Sequence, residues 1–554
     1  MSEKRVLVIG LDGGTLDVIR PWAEAGELPT FQRLLNEGTA GPLKSTIPTS
    51  SPAAWTSFMT GVNPGKHGTF DFLRRRPDGY DLQPVRNYLP GLGTMFAWAS
   101  RHGRRVAVVN VPLTYPPEPV NGIMVAGLGA PDEADYTYPA GLSDTLRAMG
   151  YRVNSEAHYE PGLEDAFLRE ITTTTDKQAE VGLWLFKKEP WDFFTIVLRD
   201  LDAVFHSMWS LMDATHPAHD PERAALYGDA ILNYHKLLDA RIADFLDAVD
   251  DNTVVMIMSD HGSGPYYREV YLNVWLQQEG FQTLKQGARD AAGGVRALLR
   301  RGGVTRENLT ARLGWHNVNR IKERLPDRVK ALVPRSRPEA MDLVDWSQTR
   351  AYSFGLIGQI YINLRGREPQ GIVEPGAEYE HVVADLVERL GELTDPETGK
   401  QVVDAVYRRE ELYHGPHAHQ APDLCLVMRD LSYTTHLGTE FTRETVFGPP
   451  INHESGNHRP YGMLMAWGPG IRRRGSVSVA EIIDLAPTIL HLLGVPVPED
   501  MDGRVLTELL DEPAGPPADR VAREQVAKAD NAAPLTAGEE AELMERLRNL
   551  GYLA

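Results

Sequence analysis

The sequence predicts an α/β fold with a mostly parallel central sheet and helices on both faces. Over the first 270 residues, short apolar runs alternate with helical patterns, which is typical of parallel strands joined by helices. The apolar runs at residues 6–9, 193–198 and 254–258 have the length of buried strands. With 554 residues, the chain is long enough for one large domain with insertions or for two to three domains.

Further elements can be assigned along the chain. Residues 106–110 and 123–126 are apolar runs of strand length, and residues 29–35 predict a helix with Pro29 in its first turn. The second half of the chain predicts three strands and a helix, at residues 359–364, 424–428 and 462–467 and from about Val479 to residue 490.

Composition predicts where the domains divide. Residues 285–337 contain 14 Lys or Arg against 4 Asp or Glu, so we expect a basic helical insertion or cap over residues 281–345. This insertion is either a solvated surface or a surface that attracts an anionic substrate or an anionic lipid membrane. The core then comprises residues 1–280 and 346–510. Residues 511–554 are predicted to form a Pro/Ala-rich linker and a C-terminal helix.

Charge and cysteine content exclude several classes of function. The net charge of -19 argues against binding to a nucleic-acid polymer, although bound dications can still attract an anionic substrate. The single cysteine, Cys425, excludes a disulfide framework and a cysteine-based metal site, and its apolar neighbours predict a buried thiol. Because no signal peptide and no run of ~18 apolar residues is found, we expect a cytoplasmic protein.

Acids and histidines follow the predicted strands. The candidates are Asp12, Asp202, His206, Asp260, His261 and, in a later segment, His458. Ligands of open α/β sheets bind beyond the carboxyl ends of the strands, so these distant residues should meet at one edge. Carboxylates and imidazoles in one place are typical ligands of divalent metal ions.

Each of these motifs also has a structural interpretation. Asp202 and His206 are four residues apart and share a face if the segment is helical, but they could form a surface pair. Asp260 and His261 precede a glycine that permits a tight turn, yet Asp260 could be a helix N-cap. Asp12 precedes two glycines, which could form a phosphate-binding turn, although no complete glycine-rich motif is present.

A cluster of hydroxyl side chains supplies candidate nucleophiles. Thr49, Ser50 and Ser51 precede an apolar helical stretch, where Ser and Thr are also common N-caps. A hydroxyl at a helix N-terminus lies near backbone N–H groups that favour an anion. A neighbouring dication would lower its pKa and activate it for attack.

Taken in order, these motifs resemble the alkaline phosphatase superfamily, and within it the type I phosphodiesterase/nucleotide pyrophosphatase branch. The resemblance covers about residues 4–270 and 350–506. It rests on residues 8–13, 51–55, 60–61, 63–68, Asp202 with His206, 259–262, 456–460, 484–488 and 501–504. An alkaline phosphatase-like fold is therefore expected.

The resemblance implies a site for two divalent metal ions, with Zn²⁺ favoured over Mn²⁺ or Mg²⁺. One ion would be held by Asp202, His206 and His458. The other would be held by Asp12, Asp260, His261 and the nucleophile oxygen. His453 competes with His458 for the last ligand position, and the Arg459-Pro460 pair that follows His458 favours His458.

Counting back from Thr60 and Gly61, the nucleophile of the family falls on Ser51, with Thr49 and Ser50 as alternatives. In many relatives, an asparagine after the nucleophile helix holds a phosphoryl oxygen. Residues 69–72 depart from that pattern. The candidate substrate-binding residues in this region are Lys66, His67 and Asp71.

The implied function is hydrolysis of a small-molecule phosphoester by a phosphodiesterase or pyrophosphatase, through a covalent phosphoseryl intermediate. The alternatives are a phosphomonoesterase or phosphomutase of the same superfamily, or a non-catalytic binding protein on this fold. The sequence argues against a sulfatase, because Ala54 stands where the sulfatase motif requires arginine. The phosphomutase alternative is weakened by Ser263, since phosphomutases have asparagine there.

Overall fold

The computed structural model describes residues 4–85, 92–287, 341–435, 443–511 and 520–522, together with the single positions 441, 540, 543 and 544. Most of the predicted basic insertion, residues 288–340, lies outside the described residues. The predicted C-terminal helix also lies outside them, apart from isolated positions. Leu543 and Met544 pack against a hydrophobic cluster that contains Phe72 and Trp346.

The described strands are β1 (Arg5–Leu11), β2 (Thr39–Lys44), β3 (Leu73–Arg75), β4 (Leu82–Pro84), β5 (Val106–Val111), β6 (Gly122–Ala126), β7 (Thr137–Tyr138), β8 (Phe193–Leu198), β9 (Thr253–Met258), β10 (Gly262–Pro265), β11 (Arg268–Val270), β12 (Ala351–Ser353), β13 (Gln359–Ile362), β14 (Val403–Arg408), β15 (Leu424–Met428), β16 (Tyr433–Thr434), β17 (Phe447–Gly448), β18 (Gly456–Arg459), β19 (Tyr461–Trp467), β20 (Gly475–Ser476), β21 (Ala480–Glu481), β22 (Val497–Pro498) and β23 (Arg520–Val521).

The described α-helices are α1 (Leu16–Glu24), α2 (Pro29–Glu37), α3 (Ser51–Thr60), α4 (Pro64–His67), α5 (Met95–Arg101), α6 (Leu142–Ala148), α7 (Glu164–Lys188), α8 (Leu201–Met212), α9 (Pro221–Tyr227), α10 (Ala230–Leu246), α11 (Leu272–Gln278), α12 (Ala377–Gly391), α13 (Arg409–Leu412) and α14 (Leu485–Leu492). Short 3₁₀ turns lie at Ala418–Gln420, Ile482–Asp484 and Thr507–Leu509.

The centre of the fold is a ten-stranded sheet in the order β20-β2-β19-β9-β1-β8-β5-β6-β7, with β21 also pairing with β2. Strand β1 pairs in parallel with β8 and β9, and β5 pairs in parallel with β8 and β6. Strand β19 is antiparallel to both of its neighbours. The predicted α/β class with a mostly parallel sheet is therefore confirmed.

Both faces of this sheet are covered. Leu7, Ile9 and Leu11 of β1 point into a core shared with α7, α8 and α10. Val6 and Val8 of the same strand point into a second core shared with α3, α5 and α14. Side chains alternate across a strand, so a strand buried on both faces is apolar along its buried part, as β1 is after Arg5.

The strands predicted at residues 359–364 and 424–428 are present as β13 and β15. They belong to a separate antiparallel sheet, β12-β13-β15-β14. The helix predicted from about Val479 begins only at Leu485, because residues 480–481 pair with β2 as a short strand. Cys425 on β15 is buried, as expected. Among the described residues, no helix combines the length and the apolarity needed to cross a membrane.

Candidate active site

The acids and histidines lie together at the carboxyl ends of three adjacent strands. Strand β1 lies between β8 and β9. Asp12 directly follows β1, Asp202 is the second residue of α8 after β8, and Asp260 and His261 follow β9. Parallel strands end at the same edge of a sheet, so these four side chains converge although up to 249 positions separate them in the sequence. His458 reaches the same place from β18.

The potential metal ligands form two groups. Group A consists of Asp202, His206 and His458, and group B consists of Asp12, Asp202 and His261. Within each group, all the ligand atoms lie within 4.8 Å of one another. Asp202 therefore belongs to both groups.

Group A consists of the same three residues that the family resemblance implied for one metal ion. Group B differs from the second assigned set, because it contains Asp202 where the sequence assigned Asp260. Asp260 lies beside group B, with its Oδ2 atom 3.3 Å from His261 Nε2. His453, the alternative to His458, is exposed, whereas His458 is buried.

Two of the histidines are oriented by backbone carbonyls. His261 Nδ1 lies 3.1 Å from the carbonyl of Gly262, and His458 Nδ1 lies 2.7 Å from the carbonyl of Thr49. A carbonyl only accepts, so each Nδ1 carries a hydrogen and each Nε2 is the ring nitrogen that faces the cluster. His458 Nε2 lies 3.6 Å from Asp202 Oδ1. Lone pairs that face carboxylates in this way are stabilised by a cation between them.

The electrostatics of the cluster also favour bound cations. Burial, followed by the charges of Asp260 and Asp202, raises the pKa of Asp12 well above its usual range. Burial and the neighbouring His261 hold the pKa of His458 well below its usual value, so its imidazole is neutral, which is the form that binds metal.

The donor set fits divalent metal ions. Asp12 Oδ1, Asp260 Oδ2 and His458 Nε2 are buried and have no hydrogen-bond partner within the described part of the chain. Buried polar atoms left without partners are costly. Carboxylate oxygens and imidazole nitrogens are ligands that Zn²⁺ and similar ions accept. Bound cations would therefore satisfy atoms that the described residues leave unsatisfied.

The structure distinguishes the three candidate nucleophiles. Ser51 Oγ lies 3.1 Å from His261 Nε2. The hydroxyl of Ser50 instead donates to Asp71 Oδ1 at 3.3 Å, and that of Thr49 donates to the carbonyl of Thr46. Of the three, Ser51 is the one whose hydroxyl contacts a metal-group residue.

Trp55 holds Asp12 in place, and the sequence analysis did not find this role. Its indole Nε1–H donates to Asp12 Oδ2 at 3.2 Å. Gly10 makes room for the ring, since a Cβ at that position would come within 2.6 Å of it. Trp55 is four residues after Ser51 on α3, so the two share a helix face. That spacing was the signal available in the sequence.

Lys66 and His67 are engaged by other parts of the protein. Lys66 Nζ donates to Asp502 Oδ1 at 2.5 Å. His67 Nε2 lies 2.9 Å from Ser57 Oγ, and its Nδ1 accepts the backbone N–H of Thr69 at 3.1 Å. Both side chains therefore tie α4 to neighbouring segments, and this geometry gives no support to their predicted role in substrate binding.

Asp71 also has a structural environment. Its buried carboxylate accepts hydrogen bonds from the backbone N–H groups of Phe72 and Leu356, the side-chain amide of Gln359 and the hydroxyl of Ser50. Burial raises its pKa to about 6, so the group is ionised at neutral pH. An ionised carboxylate repels an anionic phosphoryl group. Asp71 therefore links the sheet β12-β13-β15-β14 to the residues just before α3, and this geometry gives no support to its predicted role in substrate binding.

Acid should destabilise the fold through His67. Burial, with a smaller effect of His417, lowers the pKa of His67 to about 3. Below pH 6.5 the unfolded chain binds a proton there that the folded chain does not. The free energy of unfolding should therefore fall by about 1.4 kcal/mol per pH unit from this group, down to pH 3. Urea unfolding at several pH values should show a shallower pH dependence in His67→Gln.

The control for this prediction is His381→Gln, because His381 is exposed on α12. It should keep the pH dependence of the wild type. An unchanged pH dependence in His67→Gln would show that His67 does not carry this proton linkage.

A mostly parallel sheet with acids and histidines at the carboxyl ends of its strands agrees with the resemblance of the motifs to the alkaline phosphatase superfamily. A family model described as type I phosphodiesterase / nucleotide pyrophosphatase matches residues 6–445, and the chain belongs to this family. The family consists of metal-dependent phosphoester hydrolases, so the chain is an enzyme of that class.

Solved structures show similar folds at low sequence identity. Phosphonoacetate hydrolase from Sinorhizobium meliloti is 14% identical with a TM-score of 0.52, and the match covers 88% of this chain and 95% of that one. Murine ectonucleotide pyrophosphatase / phosphodiesterase 5 is 13% identical with a TM-score of 0.48, and the match covers 92% and 100%. No curated protein sequence matches the chain.

Proposed function

We propose that the protein hydrolyses a phosphodiester or pyrophosphate bond of a small molecule, with Ser51 as the nucleophile beside two divalent metal ions. The observation that carries the proposal is the contact between Ser51 Oγ and His261 Nε2, at 3.1 Å. The Ser51 hydroxyl thus lies at the edge of group B, which shares Asp202 with group A.

The metal ions would be held by the two groups, with Asp260 as a further ligand beside group B. When bound, the two ions would withdraw charge from the phosphoryl oxygens and lower the pKa of the Ser51 hydroxyl. Three histidines among the donors favour Zn²⁺, and Mn²⁺ or Mg²⁺ are the alternatives.

The protein side chains then supply position and exclude water. Ser51 is 1% exposed and is the first residue of α3, where free backbone N–H groups favour the anionic phosphoryl group. Attack of Ser51 Oγ on phosphorus forms the Oγ–P bond and breaks the P–O bond to the leaving group. The leaving group departs as an alcohol or phosphate, with a net transfer of the proton that the Ser51 hydroxyl gives up. Water then cleaves the Ser51–phosphorus bond, which regenerates the hydroxyl and releases the second product.

Metal removal tests this proposal. Dialysis against a chelator should reduce hydrolysis of bis-(p-nitrophenyl) phosphate to the background rate, and Zn²⁺ or Mn²⁺ should restore it. The same assay with p-nitrophenyl phosphate compares diester with monoester. Preference for the monoester would favour a phosphatase, and bound metal without turnover of either compound would favour a binding protein. Activity that survives complete metal removal would contradict the proposal.

Two predictions from the sequence concern the surroundings of the enzyme. The basic segment at residues 285–337 is proposed to attract an anionic substrate or an anionic lipid surface, and co-sedimentation with phosphatidylserine vesicles tests the lipid contact. The cytoplasmic location also stays a prediction, which cell fractionation tests.

A further inference from the structure

The Nδ1 atom of His206 faces a carboxylate. The other two histidines of groups A and B direct Nδ1 to a backbone carbonyl. His206 Nδ1 instead lies 3.6 Å from Glu454 Oε2. On its other side, His206 Nε2 lies 3.3 Å from Asp202 Oδ1, which belongs to the same metal group. The imidazole is thus placed between one carboxylate inside group A and one outside it.

Glu454 is almost completely enclosed. Its side chain is 8% exposed and that of His206 is 13% exposed. A buried carboxylate is stable only when it is paired or hydrogen-bonded. An Nδ1–H that faces a carboxylate fixes the tautomer of a metal-binding histidine and makes its Nε2 a stronger donor to the metal.

The position of Glu454 is fixed by its own backbone. The N–H of Ser455 donates to the carbonyl of His206 at 2.7 Å. Gly456 passes so close to α8 that a Cβ there would lie 2.2 Å from the carbonyl oxygen of Phe205. Residues 454–456 are therefore held against the helix turn that carries His206 by backbone contacts. Changes to the Glu454 side chain leave those contacts in place.

We propose that Glu454 is a positioning residue for group A. Its carboxylate lies opposite His206 Nδ1 and attracts the hydrogen on that atom. This directs Nε2 towards the ion and strengthens binding of a divalent cation to Asp202, His206 and His458, while Glu454 itself does not bind the ion. This inference rests on the two-metal site of the proposed function, but it concerns metal affinity and not turnover.

The test is a Zn²⁺ titration of metal-free protein in the presence of a competing chelator. Glu454→Gln keeps a neutral acceptor and should lower the affinity for one of the two zinc equivalents by about 10-fold. Glu454→Ala removes the acceptor and should weaken the same equivalent by up to about 100-fold. The other equivalent should keep the wild-type affinity, and zinc content after dialysis should fall towards one per chain.

The matched control is Glu444→Gln, which removes the same charge from an exposed position and should leave both equivalents unchanged. Wild-type affinity in both Glu454 variants would overturn the inference. An equal loss in Glu444→Gln would also overturn it, because the effect would then come from net charge. Wild-type protein that binds two zinc ions but hydrolyses no phosphoester would refute the proposed function alone, whereas wild-type protein that binds none would refute both.

Discussion

Replacing Ser51 with alanine is expected to lower phosphodiester turnover by at least about 10⁴-fold while the protein keeps its metal content. The hydroxyl lies 3.1 Å from His261 Nε2, and its removal takes away the atom that attacks phosphorus. The Asp and His ligands stay in place, so metal analysis of the purified variant should match the wild type. Single-turnover kinetics with bis-(p-nitrophenyl) phosphate should lose the fast release of p-nitrophenol.

Matched controls are available next to Ser51. Ser50→Ala and Thr49→Val each remove a neighbouring hydroxyl that bonds elsewhere, to Asp71 and to the carbonyl of Thr46. Both variants should retain most of the activity. If Ser51→Ala retained activity and one of these controls lost it, the nucleophile would be reassigned. If all three retained activity, the covalent mechanism would be wrong.

Replacing Asp12 with asparagine is expected to stabilise the metal-free protein and to disable the enzyme. Burial and the nearby Asp260 and Asp202 disfavour the Asp12 carboxylate, so a neutral side chain of the same shape removes unfavourable charge. The amide oxygen of the introduced side chain can still accept the indole N–H of Trp55. As a metal ligand, however, that oxygen lacks the charge, and the loss in activity should exceed the ~100-fold that outer-shell partners cost.

The stabilisation of the metal-free protein by Asp12→Asn should depend on pH. The pKa of Asp12 is raised in the folded protein, so ionisation of Asp12 at high pH is less favourable in the folded than in the unfolded chain and lowers the free energy of unfolding. At low pH, where Asp12 is protonated in both the folded and the unfolded chain, this loss disappears. The increase in melting temperature of metal-free Asp12→Asn should therefore be larger at pH 8 than at pH 5. With saturating Zn²⁺ the order should reverse, because bound metal stabilises the wild type.

The control is Asp251→Asn, because Asp251 is an exposed residue just before the start of β9, at the end of the strand away from the site. It should change neither the melting temperature nor the activity. A metal-free Asp12→Asn protein that melts below the wild type at pH 8 would show that repulsion among the converging carboxylates does not destabilise the fold. Full activity in that variant would remove Asp12 from group B.

The strands that carry the site could be predicted because their signal is local. Strands β1, β8 and β9 are buried on both faces, so each is a continuous apolar run that the sequence displays directly. The smaller sheet was harder to place, because β13 and β15 have the same local pattern as strands of the central sheet. Which sheet a strand joins depends on its partners. Those partners lie up to 66 positions away in the sequence.

The site, too, has features that local sequence predicts and features that depend on distant segments. The positions of Asp12, Asp202, Asp260 and His261 just after strands were enough to predict a metal site at one edge. The sharing of Asp202 between two groups depends on the order β9-β1-β8, which no local pattern encodes. Lys66 and His67 looked available in the sequence, but their partners come from other segments.

The sequence by itself determined the α/β class and predicted a metal site with its candidate ligands, since burial and ligand chemistry are properties of single segments. Only the tertiary structure decided that Ser51 is the hydroxyl near His261, that Trp55 holds Asp12 and that Glu454 faces His206. These are contacts between segments up to about 250 positions apart. Their distances depend on how strands and helices pack, and packing is a property of the whole chain.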